Sequence, residues 1–278
     1  MNASSSPFKY FLAWALLLLG LWSCDLEKEI EIELPNLPAQ MVVECYLENG
    51  KPLRLVLTES QSYFDAPTPI PITDALVTIS KNNGKPDTLQ YQVSYDEQNQ
   101  KVYTYLHPRL VHGTVGDVYS LVITDPKGRK LTGQTQVLPP APIDSLGWKF
   151  ESKPAESAEA YLLTRFQDDP NRDNFYRLII NKDSLSGEED IDSQTNDRLL
   201  NGSKISWRTG YRYQRHDTLV VTLYHIEEQY YDFLVSVDDA ISANTNPISQ
   251  PSLIKSTVQG GLGVFAHLNY DRRTVIIK

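Results

Sequence analysis

The chain has 278 residues, enough for one large domain or two of ordinary size with substantial hydrophobic cores. Its 41% hydrophobic and 22% charged residues read as globular, and a formal charge of −9, from 26 Lys+Arg against 35 Asp+Glu, argues against a surface that tracks nucleic-acid phosphates. Two cysteines exclude a disulfide-dense scaffold, and 14 Gly with 17 Pro supply turns without low complexity.

Lys9 is the only charged side chain before Cys24, and the apolar stretch after it, Phe11 to Trp22, is 12 residues long. A membrane-spanning helix needs roughly 20 apolar residues, so a positive start and a short apolar block predict a secretory signal peptide over residues 1–23. Leu21-Trp22-Ser23-Cys24 then resembles a bacterial lipoprotein box, with Leu three positions before the Cys and a small residue directly before it. The resemblance implies that Cys24 becomes the first mature residue, its sulfur carrying a diacylglyceryl group and its amine a further acyl chain. The expected partner is therefore the lipid bilayer: each buried methylene contributes about 0.8 kcal/mol, so several chains anchor stably where one does so marginally. Ordinary signal cleavage with a soluble product is the alternative. Asp25 to Glu33 alternates charge with Leu and Ile; like charges every second residue repel, so residues 24–34 are expected to form an acidic tether.

From residue 35 to residue 138 short period-two runs are separated by turn residues, the signature of half-buried strands. Met41, Val43, Cys45 and Leu47 share one face of the first run, which predicts a buried, unreactive thiol at Cys45. Leu53, Leu55 and Leu57 follow the Asn49-Gly50 turn. Ala75, Val77 and Ile79 lead to Asn82-Asn83-Gly84, and Tyr119, Leu121 and Ile123 to Asp125-Pro126-Lys127-Gly128. Turns at this spacing predict a β-sandwich of immunoglobulin-like or transthyretin-like type. Residues 139–143, with Pro139, Pro140 and Pro142, read as a stiff linker.

Residues 144–278 are expected to form a second β-rich domain, with strands near 161–166, 175–180, 204–207, 218–225, 263–268 and 274–277. The acidic stretch 187–197 reads as an exposed loop. Tyr230, Phe233, Leu234, Val237 and Ile241 fall on one stripe of an amphipathic helix near 228–242, with Asp232, Ser236 and Asp239 turned away. That stripe is expected to cover the second sheet. The predicted fold class is thus mainly β: an N-terminal sandwich, then a β-rich domain carrying one helix.

The assembled motifs resemble a known family. The Cys of the lipoprotein box, Val42-Val43-Glu44 with Asn49-Gly50, Asp74 to Ile79, and Gly116-Asp117-Val118-Tyr119-Ser120-Leu121 look like the domain-of-unknown-function 4249 lipoproteins of Bacteroidetes-type bacteria. Asp169-Pro170, Asn174-Phe175-Tyr176-Arg177, the Tyr230 helix and Gly260-Gly261-Leu262-Gly263-Val264-Phe265 extend the likeness over nearly all the mature chain. The resemblance implies an outer-membrane lipoprotein, often encoded beside a TonB-dependent transporter, with no established activity and no catalytic residues to carry over. Acidic residues after Cys24 are similar to a signal for surface display, and the periplasmic or surface side stays open.

No catalytic, metal or cofactor motif emerges from the residues themselves. Asp169, Asn171 and Asp173 sit as at the start of a calcium loop, but Asn174 and Ile180 stand where the turn Gly and the bidentate Glu belong. His225-Ile226-Glu227-Glu228 lacks the second His of a zinc protease helix, and His107, His112, His216 and His267 have no short metal-ligand spacing that could share a helix face. Asp168, Asp169 or the 188–192 cluster could pair for glycoside cleavage, although an acidic surface explains them more simply. Gly260 to Gly263 is expected to serve backbone bending. Trp207, Tyr211, Tyr213 and Tyr231, in a segment that also holds Tyr224 and Tyr230, are the weak candidates for ligand binding, with ordinary strand packing as the competing reading. The expected function is a non-enzymatic, lipid-anchored outer-membrane protein, a binding or assembly accessory of a TonB-dependent transporter. An independent surface glycan- or ligand-binding lipoprotein is the alternative, and a hydrolase ranks below both.

Overall fold

Period-two burial governs the first half of the molecule. In the computed structural model, which describes residues 38–62, 68–186, 189–245 and 252–278, strand β1 (Met41–Glu48) buries Met41, Val43, Cys45 and Leu47, and β2 (Pro52–Glu59) buries Leu53, Leu55 and Leu57. The two join through Asn49-Gly50-Lys51, where Gly50 has φ +81° and its N–H donates to Val111 O at 2.9 Å. After the two-residue β3 (Ile70–Pro71), β4 (Leu76–Lys81) turns into β5 (Asp87–Asp96) at Asn82 and Asn83, both with positive φ, the pattern of a type I′ turn. β6 (Lys101–Leu110), β7 (Val118–Thr124) and β8 (Lys130–Gln136) follow. The signal peptide, Cys24 and the acidic tether lie outside the described residues.

The second half contains β9 (Ile143–Phe150), β10 (Ala160–Gln167), β11 (Phe175–Lys182), β12 (Glu189–Asn196), β13 (Lys204–Arg208) and β14 (Thr218–Ile226). Helix α1 (Glu228–Thr245), β15 (Val258–Gln259) and the long β16 (Leu262–Ile276) complete it. The fold is mainly β with one described helix. The principal sheet runs β12-β11-β14-β16-β1-β2-β6-β5-β4-β7-β8-β15, with β3 on β2, and β13-β10-β9 form a separate sheet.

One hydrophobic cluster joins Val43, Leu55, Val77, Leu121, Leu131 and Phe265. These residues come from strands far apart in the sheet order, so the sheet folds over and closes a sandwich. A second cluster packs Leu162, Phe166 and Ile205 of the small sheet against Tyr176, Leu178 and Leu223. The opposite face of β11, β14 and β16 meets α1 through Phe175, Ile179, Tyr224, Ala266 and Tyr230. β11 and β14 are therefore buried on both faces, which accounts for their near-continuous apolar runs.

The cores divide where the prolines stand, Val137 in the first and Ala141 in the second, but backbone pairing does not divide. β16 pairs in parallel with β1 through residues 262–268 and antiparallel with β14 through 269–276. The proline segment is fastened alongside: Asn269 Nδ2 donates to Leu138 O at 2.7 Å, His225 Nδ1 to Pro139 O at 2.8 Å, and Ile143 N to Asp271 Oδ2 at 2.8 Å. Ala39–Lys278 form one compact unit.

Three local expectations change. The acidic stretch 187–197 is largely strand β12, paired along β11 from Phe175↔Asn196 to Ile180↔Ile191. It reads as a loop because an edge strand tolerates charge on its open side, while only Ile191 reaches the second core. The two strands expected near 263–268 and 274–277 are one, its polar middle at Asn269 to Arg273 disguising the continuity. In α1, Ser236 is buried rather than outward, donating to Phe233 O at 2.7 Å and accepting Lys255 N–H at 2.9 Å, whereas Ile241 is exposed.

Candidate functional site

The four aromatic candidates do not converge. Tyr213 is 1% exposed and Trp207 half-buried, both packed into the second core. Tyr231 packs on the other face of the sheet, its ring 5.1 Å from that of Phe175 and its hydroxyl accepting Asn196 Nδ2 at 3.1 Å. Tyr211, 44% exposed, is the outward-facing member, edge-on to Tyr161 at 5.3 Å, and Arg208 lies 5.1 Å over the Tyr161 ring. The packing reading thus describes Trp207, Tyr213 and Tyr231, and a polar-edged aromatic pair remains at Tyr211 and Tyr161.

Four of the carboxylates considered for hydrolysis, Asp168, Asp169, Asp190 and Asp192, are engaged locally. Buried Asp168 accepts Tyr176 OH at 2.6 Å and Gly202 N–H at 2.7 Å. Asp169 accepts Asn171 N–H at 3.1 Å in its own turn. Asp190 meets Arg212, and Asp192 is held in a fork by Arg177 Nε and Nη2. Among the described residues no group of three or more His, Cys, Asp or Glu could hold a metal ion.

Gly260 and Gly263 bend the backbone as their sequence suggests. Gly263 has φ +114°, and a Cβ there would stand 1.9 Å from Val43 O; at Gly260, φ +78°, it would stand 2.1 Å from Lys130 O. The close approach is what lets β16 reach β1.

A polar clasp that pattern reading does not reveal crosses the outer face of the sheet beneath α1. Arg177 Nη1 donates to Tyr230 OH at 2.7 Å, and the Tyr46 ring packs against that of Tyr230 with centroids 5.8 Å apart. Lys101 stands 5.0 Å over the Tyr46 ring and pairs with Glu44. Burial pushes both phenols well above their ordinary pKa, so they remain protonated donors. Burial pulls Arg177 down, but Asp192 and Tyr230 outweigh it and keep the guanidinium firmly charged. The signal that could have found this clasp is the outward position of Glu44 and Tyr46 on β1, opposite the buried Val43 and Cys45.

Within the principal sheet the pairing of β5 with β4 is partial. β4 pairs with β5 only from Asp87 to Leu89. Beyond Leu89, the β5 edge turned away from β6 has no strand partner among the described residues. The β5–β6 hairpin also exposes apolar side chains: Val93 is 59% and Tyr95 60% exposed, with Tyr91 and Val102 beside them. Its tip is rigid. Asp96 Oδ1 accepts Gln98 and Asn99 N–H at 3.0 and 3.2 Å, and Arg54 Nη1 meets Asp96 Oδ2 at 2.7 Å while stacking 4.1 Å over Tyr103. Burial opposes the Asp96 charge, but Asn99 and Arg54 prevail and hold its carboxyl below the usual range. Such an edge combines unpaired backbone N–H and C=O groups with exposed apolar side chains.

The sequence model of the Domain of unknown function (DUF4249) matches residues 27–274, from the acidic stretch to near the end of strand β16. The chain belongs to the DUF4249 family. No curated protein matches it. In this DUF4249 chain the match takes in both halves of the sheet together with the strand that joins them. Among the described residues no helix is long and apolar enough to cross a membrane.

Proposed function

We propose that this DUF4249 protein is a non-enzymatic lipoprotein, held at the outer membrane by acylated Cys24, that serves as a binding or assembly accessory of a TonB-dependent transporter. The observation that carries the reading is the open edge of β5 with Tyr91, Val93 and Tyr95 exposed along it. A free edge offers backbone hydrogen bonds to an added strand, and alternate side chains supply the apolar contact. The Leu21-Trp22-Ser23-Cys24 motif supports the anchoring, since a tether that confines a domain near its partner raises effective concentration to about the millimolar range. Pull-down of the intact protein from membranes in mild detergent, with mass spectrometry, is expected to recover a transporter, and V93K/Y95K is expected to lose it. Repeated recovery of the protein alone, or undiminished recovery with the double variant, contradicts the reading.

A second reading, an independent surface glycan-binding lipoprotein, is favoured by Tyr211 and Tyr161 with Arg208 across the ring. A glycan array in which wild type binds and Tyr211→Ala does not would support it, and no binding across broad polysaccharide sets removes it.

A further inference from the structure

At the end of the β5–β6 hairpin opposite its tip, the N-terminal sandwich holds a cleft of about 310 Å³. Its floor is core: Leu53, Ile79, Val111 and Tyr119 line it and are themselves almost wholly buried. Its rim carries three cations, Lys81, Lys85 and Arg109, and one carboxylate, Asp87.

The local charges do not cancel. Asp87 is satisfied by a single guanidinium nitrogen, Arg109 Nη1, at 2.8 and 2.9 Å to its two oxygens. Arg109 Nε and Nη2 have no partner among the described residues. Lys81 Nζ is held between His112 O at 3.0 Å and Asp117 Oδ2 at 3.2 Å, an ion pair at the mouth, so the surplus charge is that of Lys85. Asp117 is itself tied down by Asn82 Nδ2 at 2.7 Å and Thr114 N–H at 2.8 Å. Lys85 has no ion-pair or hydrogen-bond partner among the described residues. A mouth with surplus positive charge over an apolar floor is unusual on a molecule whose formal charge is −9.

Each feature specifies part of a ligand. The volume is the small end of the range for ligand sites and equals roughly ten water volumes. The apolar floor calls for a hydrocarbon or ring. The free edge of a planar guanidinium beside an unpaired ammonium matches a carboxylate, which takes two parallel N–H donors. We propose that this cleft binds a small carboxylate carrying an apolar body, seated with its ring or chain on Leu53, Ile79 and Tyr119 and its carboxylate between Arg109 and Lys85. This goes beyond docking at β5, because none of these side chains belongs to the open part of the hairpin.

The test titrates full-length protein in detergent, against a protein-free micelle blank, with benzoate, benzamide, benzylammonium and phenyl phosphate. Benzoate is expected to bind in preference to the other three. Lys85→Gln removes an exposed, unpaired charge without touching the core and should weaken benzoate binding roughly two- to fivefold. Arg109→Gln should weaken it further, with its thermal transition recorded as a control; should that variant be destabilised, the Lys85→Gln result alone decides. Added salt is expected to weaken binding in wild type more than in Lys85→Gln. Benzamide binding as well as benzoate, phenyl phosphate binding more tightly, or unchanged affinity in Lys85→Gln would each overturn the proposal.

Discussion

His267 is 3% exposed, lies against Tyr119 with ring centroids 5.9 Å apart, and has neither ring nitrogen bonded to any described residue. Burial pulls its pKa from 6.5 down to about 4, and Asp117 only partly opposes this. Below pH 6.5 the unfolded chain takes up a proton that the folded chain refuses, so stability attributable to this group is complete above pH 6.5 and falls as the pH drops toward 4. The loss approaches about 3 kcal/mol. His267→Phe should flatten this part of the urea-midpoint profile relative to wild type, and parallel profiles between pH 6.5 and 4 would show that the ring is already paired. Cys45 supplies a second residue-level expectation. Burial drives its thiol well above the usual range, so a thiol reagent should label it only after denaturation, and rapid labelling of native protein would contradict its burial. The Cys45 environment was readable from alternation with Met41, Val43 and Leu47. That of Tyr213 was not, because tyrosine suits a strand whether its face is buried or wet.

Among the elements, β1, β2, β4 and β7 were legible because each buries one face of a sandwich, which writes a period of two into the chain. β12 was not legible: its charges satisfy Arg177 and Arg212 rather than water alone, and an edge strand needs few apolar contacts. The register of β16 depends on glycine backbone at a distance from any pattern. Gly263→Ala should cost about 3 kcal/mol or more, since it combines a positive φ with a clash against Val43 O. Gly50→Ala, with φ +81° but open space around it, should cost only about 1 kcal/mol. Equal denaturant midpoints for the two variants would contradict the close approach of β16 to β1. The open β5 edge and the cationic cleft were equally hidden, because both arise where β4, β5 and β6 part company, and sequence spacing does not record where paired strands diverge.

Across the whole molecule, two cores share one strand. Phe265 packs in the first core while Val275, ten residues on, packs against the second. The clasp of Tyr46, Tyr230 and Arg177 and the anchored proline segment tie the same halves together. Urea unfolding should therefore be one cooperative event. Trp148 and Trp207 report on the second core and far-UV circular dichroism on all the strands, so coincident transitions are expected and separated ones would show that the halves melt independently. Shared backbone of this kind is invisible to composition, which marks a boundary at Pro139 to Pro142 without registering that β16 crosses it.

The proposed role at a membrane requires a lipidated amino end. Intact-mass analysis of protein extracted from native membranes bears on this most directly. The expected species begins at Cys24 and carries the mass of a diacylglyceryl group and a further acyl chain. A species that retains residues 1–23, or one that begins at Cys24 with no fatty acid attached, would contradict both the anchoring and the docking role built on it.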